Sequence, residues 1–192
     1  MPDSATQISR YSNVAIGLHW VIALLIPFQL ALGWYMLSIE EQPGSERYFA
    51  LHISIGLAVA LLVALRILWR MRYPAPPLPD RLPTWQTRVA GFSHWLLYAA
   101  LVLLPLTGYL GASFGGDVIG FFGLALPGWV TKNNASKELF FTAHATIAWV
   151  FVGLVAIHAA AAAKHLLIDK NDIFWRMWPR DTRETSNETF TP

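Results

Sequence analysis

The stretch His144–His158, HATIAWVFVGLVAIH, sets two imidazoles fourteen positions apart with no charged residue between them. A helix rises about 1.5 Å per residue, so the two rings stand roughly 21 Å apart along its axis. At about 100° per residue, fourteen steps fall some 40° short of four full turns, and both rings look out of one face. That face offers a ligand at two depths.

Composition says where such a helix lives. The chain has 192 residues, 55% hydrophobic and only 14% charged, with a mean hydropathy of +0.41. Soluble domains run nearer one-quarter charged, which points to a membrane protein. Four apolar runs agree, at about Val14–Leu37, Ala50–Trp69, Val89–Ala112 and Leu139–Ala163. Each is long enough to cross a hydrocarbon core about 30 Å thick. In lipid the backbone must satisfy its own hydrogen bonds, so each run is expected to be a helix. The expected fold is an all-α membrane protein, a four-transmembrane-helix bundle forming a single domain over residues 1–192. The chain has no cysteine, which excludes disulfides, thiolate metal sites and cysteine-ligated iron–sulfur clusters. The polar start MPDSATQISRYSN carries one Arg and precedes a run too long for a signal peptide, so the first run reads as a retained span.

Lys and Arg in the connections set an expected orientation. The second connection, RMRYPAPPLPDRLPTWQTR, holds Arg70, Arg72, Arg81 and Arg88, and the C-terminal segment holds Lys164, Lys170, Arg176, Arg180 and Arg183. The opposite side holds Arg47, Lys132 and Lys137. Both termini are therefore expected in the cytoplasm. The third connection, SFGGDVIGFFGLALPGWVTKNNASK, is rich in Gly and aromatics and is expected to lie against the outer interface, with room for one short helix.

The fourteen-residue ruler recurs in the other spans. It joins His19 to Gly33, His52 to Arg66, and His94 to Gly108. With spans alternating in direction, the inner level holds His19, Arg66, His94 and His158. The outer level holds Gly33, His52, Gly108 and His144. An ionisable group inside a span is a functional candidate, while the glycines also suit plain helix packing in lipid. Two imidazoles outside and three inside can ligate two metals, and the glycines leave room for something flat. A zinc or copper carrier would bring three or four converging ligands, often with Cys, Met or carboxylate. A proton relay would bring Asp or Glu, and the spans hold none. Haem iron takes two axial ligands and its propionates favour nearby cations. Two b haems fit the number and spacing of the imidazoles, and Arg66 is a candidate propionate partner. Helix geometry leaves His94 open as a ligand of the inner one.

The segments GLHW (Gly17–Trp20), LHISIG (Leu51–Gly56), RMRYPAPP (Arg70–Pro77), HWLLYAALVLLPLTG (His94–Gly108) and FFGLALP (Phe121–Pro127) carry a resemblance. Together with the His144–His158 spacing and the AAAAAKH that follows it, they resemble the bacterial cytochrome b561 family from about Tyr11 to Arg180. The likeness is to its small free-standing members, the superoxide oxidase type, and more distantly to the cytochrome b subunits of nickel–iron hydrogenase and formate dehydrogenase. The resemblance implies an inner-membrane electron carrier with axial ligands from the first, second and fourth helices. Carried over, His19 and His158 hold the inner haem, and His52 and His144 the outer one. It further implies ubiquinone near the inner haem, with His165 at the site and Ser12, Arg70 and Arg72 beside it. His165 lies seven residues past His158 on nearly the same face, about 10 Å nearer the cytoplasm.

Two functions follow as expectations. The first is electron exchange with ubiquinone, with superoxide or a redox protein as candidate donor. The second is a membrane anchor linking a soluble dehydrogenase or hydrogenase to the quinone pool. The outer loops carry Glu40, Glu41, Glu46, Asp117 and Glu138 against Arg47, Lys132 and Lys137. Their slightly negative sum gives an anionic donor no net steering. Membrane lipid is the expected environment, and no nucleic-acid partner is expected.

Overall fold

The computed structural model describes residues 10–77, 82–126 and 130–179. The basic residues Arg81, Arg180 and Arg183 lie outside them. Within the described residues the four apolar runs are four helices, α1 (Asn13–Ser38), α2 (Glu46–Arg72), α3 (Thr84–Gly115) and α4 (Asn134–Leu167). All four are long and apolar enough to cross a membrane. Each outruns its apolar stretch because the helical hydrogen-bond ladder continues into the polar flanks. The Ser12 side chain caps α1 by accepting from Ala15 N–H, and Asn133 caps α4 by accepting from Ser136 N–H. Such caps satisfy donors that a helix start leaves open.

The helices form two close pairs, α1 with α2 and α3 with α4, joined along α2 and α3. One buried layer draws on all four: Ile22 and Ile26 from α1, Val59 and Val63 from α2, Ala100 from α3 and Phe151 from α4. Phe151, only 2% exposed, lies seven residues from His144 and seven from His158. This apolar layer of the bundle therefore lies between the two imidazole levels.

Both ends of the described chain meet on one side. After α4 the chain turns into a 3-10 helix, Phe174–Met177. Arg10 donates to Trp175 O at 2.8–2.9 Å, and Trp20 Nε1 donates to Met177 O at 2.7 Å. The buried Arg176 donates through Nη2 to Pro76 O and Pro77 O, at 2.6 and 2.9 Å. A residue read above only as a basic marker of the terminal side thus ties the C-terminal segment to the α2–α3 connection.

The α3–α4 connection corrects one expectation. Its described part holds a β-hairpin, β1 (Gly120–Phe121) with β2 (Leu124–Ala125), rather than a short helix. The two-residue turn places Phe122 at φ +48° and Gly123 at φ +91°, the paired left-handed conformation that matches strand twist. Glycine at the second position removes the steric cost there.

Candidate functional site

On the hairpin side of the buried layer, His52 of α2 faces His144 of α4, with ring centroids 6.2 Å apart and planes at 76°. On the terminal side, His19 of α1 faces His158 of α4 at 6.3 Å and 71°. Each pair spans helices from different close pairs, so the imidazoles meet across the space between them. His94 of α3 also approaches His158, at 5.4 Å and 74°.

These separations test whether the residues suit an iron between them. A metal–imidazole bond of about 2.0–2.1 Å, with the ring centre about 1.1 Å behind the nitrogen, puts two trans rings about 6.3 Å apart. Both the His19–His158 and His52–His144 pairs meet that requirement. His94 and His158 are too close for trans ligation of one ion. Among the described residues no three His, Asp or Glu side chains cluster as a metal site. The donor set, neutral nitrogen without thiolate or carboxylate, is the one b-type haem iron takes.

Local structure orients the rings. His144 Nδ1 lies 2.9 Å from Leu104 O and 3.4 Å from Thr107 Oγ1. A proton on Nδ1 directed at the carbonyl leaves Nε2 with its lone pair free, the arrangement metal-binding histidines use. Gly33 and Gly108 have a sharper role than leaving open room. A Cβ on Gly33 would stand 3.2 Å from His52 Cε1, and one on Gly108 would stand 3.2 Å from His144 Cε1 and Nδ1. Each glycine lets an imidazole lie directly against the neighbouring helix.

Gln29 was not singled out by the sequence reading. Its Nε2 donates to His52 O at 2.7 Å, and Gly56 leaves the clearance, since a Cβ there would sit 3.1 Å from that nitrogen. The signal was present as a lone amide in the middle of an apolar span, where an unbonded polar group is costly. Tyr98 is a second such residue. Arg66 Nε donates to Tyr98 Oη at 3.1 Å, and Arg66 Nη1 donates to Ala15 O at 2.6 Å. The guanidinium is thus fixed at the terminal-side level, with Nη2 uncommitted to these partners.

The expected quinone residues divide. Ser12 accepts from Trp69 Nε1 at 2.9 Å and lines a cavity of about 150 Å³ with Arg10, Tyr11, Tyr73 and Pro76. Arg70 lines an adjoining smaller space with Arg66 and Tyr98. Arg72 stacks on Tyr73, its Cζ 5.1 Å from the ring centre. His165 lines neither space. Its Nδ1 lies 3.0 Å from Asp169 Oδ2 and 3.1 Å from Asn171 Nδ2, and Lys164 Nζ holds both Asp169 oxygens at 2.6–2.7 Å. The Lys164 ammonium, bonded to Asp169, holds that carboxyl below its usual range.

Comparison with known proteins gives a consistent picture. A family model described as prokaryotic cytochrome b561 matches residues 10–180. Cytochrome b561 homolog 2 of Escherichia coli K12 is 33% identical, over 88% of this chain and 90% of that protein. Cytochrome b561 homolog 1 of the same organism is 31% identical, over 90% of this chain and 99% of that protein. A probable superoxide oxidase, CybB, of Yersinia pestis is 28% identical, over 89% of this chain and 97% of that protein.

Proposed function

Since the chain belongs to the prokaryotic cytochrome b561 family of membrane electron-transfer proteins, we propose that it carries electrons between two b haems and ubiquinone. His19 and His158 would hold the haem on the terminal side, and His52 and His144 the one on the hairpin side. Bound haem would supply a one-electron carrier at each level. The observation that carries the reading is the pair of ring separations, 6.3 and 6.2 Å.

The protein's own groups have defined parts in this reading. Gly33 and Gly108 admit the imidazoles, Leu104 O orients His144, and Arg66 offers its cation to a propionate. The basic residues flanking the terminal side support a cytoplasmic location for both ends. Ubiquinone would meet the protein on that side. Ser12 and Arg70 line adjoining spaces there and Arg72 flanks them through Tyr73, while His165 handles the proton from the end of α4. The relative described as a probable superoxide oxidase supports superoxide as a donor to be tried on the opposite side.

Pyridine haemochrome analysis with a potentiometric titration tests the core of the reading. Two low-spin b haems per chain are expected, and one or none would overturn it. Stopped-flow oxidation of the reduced protein by a short-chain ubiquinone tests the rest. His165→Ala should keep both haem spectra and slow that oxidation, whereas a wild-type rate would remove His165 from the path of the proton.

A further inference from the structure

We propose that the hairpin between α3 and α4 dips into the bilayer and presents Phe122 and Leu124 to lipid acyl chains. The inference needs only the membrane-spanning fold and is independent of the haem reading.

Depth is the first observation. Phe122 N–H donates to Ser54 Oγ at 3.0 Å, and the same hydroxyl stands 2.8 Å from Ala50 O and 3.3 Å from Gly120 O. Ser54 lies eight residues inside the start of α2 at Glu46, about 12 Å along the helix. From Tyr48 to Leu65, between Arg47 and Arg66, α2 carries no charge, so its hydrocarbon-spanning part includes Ser54. The hairpin turn is fastened at that depth, close to the level of His52.

The path of the chain agrees. Its two ends stay at the outer tip of α3, where Asp117 N–H donates to Ala112 O and Asn133 N–H donates to Phe114 O. Between them the described chain reaches Ser54 at the hairpin turn. Non-helical backbone at such depth requires its polar groups to be satisfied by protein. Here β1 pairs with β2, Leu126 N–H donates to Ile119 O at 2.8 Å, and Ser54 takes the turn. Ile119 packs inward at 4% exposure, while Phe122 and Leu124 face outward at 62% and 70%. Two large apolar side chains left outward at hydrocarbon depth continue the lipid-facing surface of α2, where Leu61 and Leu65 are also exposed. An aqueous docking surface would carry polar or charged groups at the tip, and FFGLAL carries none.

The natural absence of cysteine makes the test direct. Leu124→Cys and, separately, Phe122→Cys are labelled with a nitroxide in the full-length protein. The protein is placed in vesicles of phosphatidylcholine and phosphatidylglycerol. Collision with oxygen, which concentrates in lipid, is compared with collision with a water-soluble nickel chelate. Leu61→Cys gives the lipid reference and Lys132→Cys the aqueous one. The proposal expects labels at both positions to follow the Leu61 label, with oxygen collisions dominating. Labels that follow the Lys132 label would overturn it in favour of an aqueous surface. Labels shielded from both reagents would overturn it in favour of a protein partner. Either position alone decides the matter where the other variant fails to insert.

Discussion

The imidazole of His144 rests against Gly108 so closely that a Cβ on the glycine would stand 3.2 Å from both Cε1 and Nδ1. Gly33 stands in the same relation to His52. One level of the bundle is therefore defined by two glycine–histidine contacts, one in each helix pair.

Gly108→Ala should displace the His144 ring. Overpacking of this kind costs about 1–3 kcal/mol, equivalent to about five- to 150-fold weaker haem binding at that level. Gly33→Ala should act on the same level through His52. Gly153→Ala is the control, since nothing lies within 4 Å of a Cβ there. Haem-to-protein ratios read from the absorbance of purified variants decide it. Full occupancy in Gly108→Ala would mean the ring is free to move aside.

Single histidine replacements should sort the five imidazoles. His52→Ala or His144→Ala is expected to remove one haem and spare most of the other, and His19→Ala should do the reverse. His94→Ala should retain both, because its 5.4 Å approach to His158 does not suit trans ligation. Redox titration of each variant gives the count. Loss of a haem in His94→Ala would exchange its role with that of His19.

Arg66 offers a prediction about potential. Removing a cation beside the terminal-side haem disfavours the extra electron, so Arg66→Leu should lower that haem's midpoint and leave the other nearly in place. Tyr98→Phe keeps the charge but removes the acceptor of Arg66 Nε. A hydrogen bond to a charged group is worth about 1.5–3 kcal/mol, so this variant should melt earlier with a smaller change in midpoint. Equal shifts in both variants would show that Arg66 acts through packing alone.

The Lys164–Asp169–His165 cluster predicts a pH response at the end of α4. Asp169 has its carboxyl lowered in the folded protein, chiefly by Lys164. Its stabilising contribution is therefore full above the ordinary carboxyl value of 3.8 and lost as pH falls through the lowered value. Hydrogen exchange at residues 165–171 should accelerate over that acidic window. Asp169→Asn should exchange faster at neutral pH and lose the acid transition. A wild-type transition persisting in Asp169→Asn would assign it to another group.

The sequence carried the helices and the imidazole ladder because both depend on local geometry. Fourteen residues separate His144 from His158 at a fixed pitch whatever surrounds them. The pairing of His19 with His158 over His94 was different. Spacing alone left it open and the family resemblance favoured His19; the packing of α1, α3 and α4 adds ring separations of 6.3 Å for His19 and 5.4 Å for His94. The Gln29 bond to His52 O depends on the α1–α2 approach that Gly56 permits. The hairpin was hidden for a related reason: its strands are two residues each, too short for periodicity, and its register is fixed by a serine on another helix. Asp169 drew no notice because it follows the last apolar run, and its partners meet it through the turn that ends α4.

The layer centred on Phe151 bears on what turnover would do to the membrane. Six apolar side chains from four helices form a layer between the two imidazole levels that itself offers water or a proton no polar side chain to follow. An electron passing from one level to the other in the proposed arrangement would therefore cross that part of the bilayer unaccompanied. Each elementary charge carried across the full membrane works with or against about 2.3 kcal/mol per 100 mV. Turnover would then be electrogenic, and its rate would respond to the voltage across the membrane as well as to the concentrations of donor and quinone.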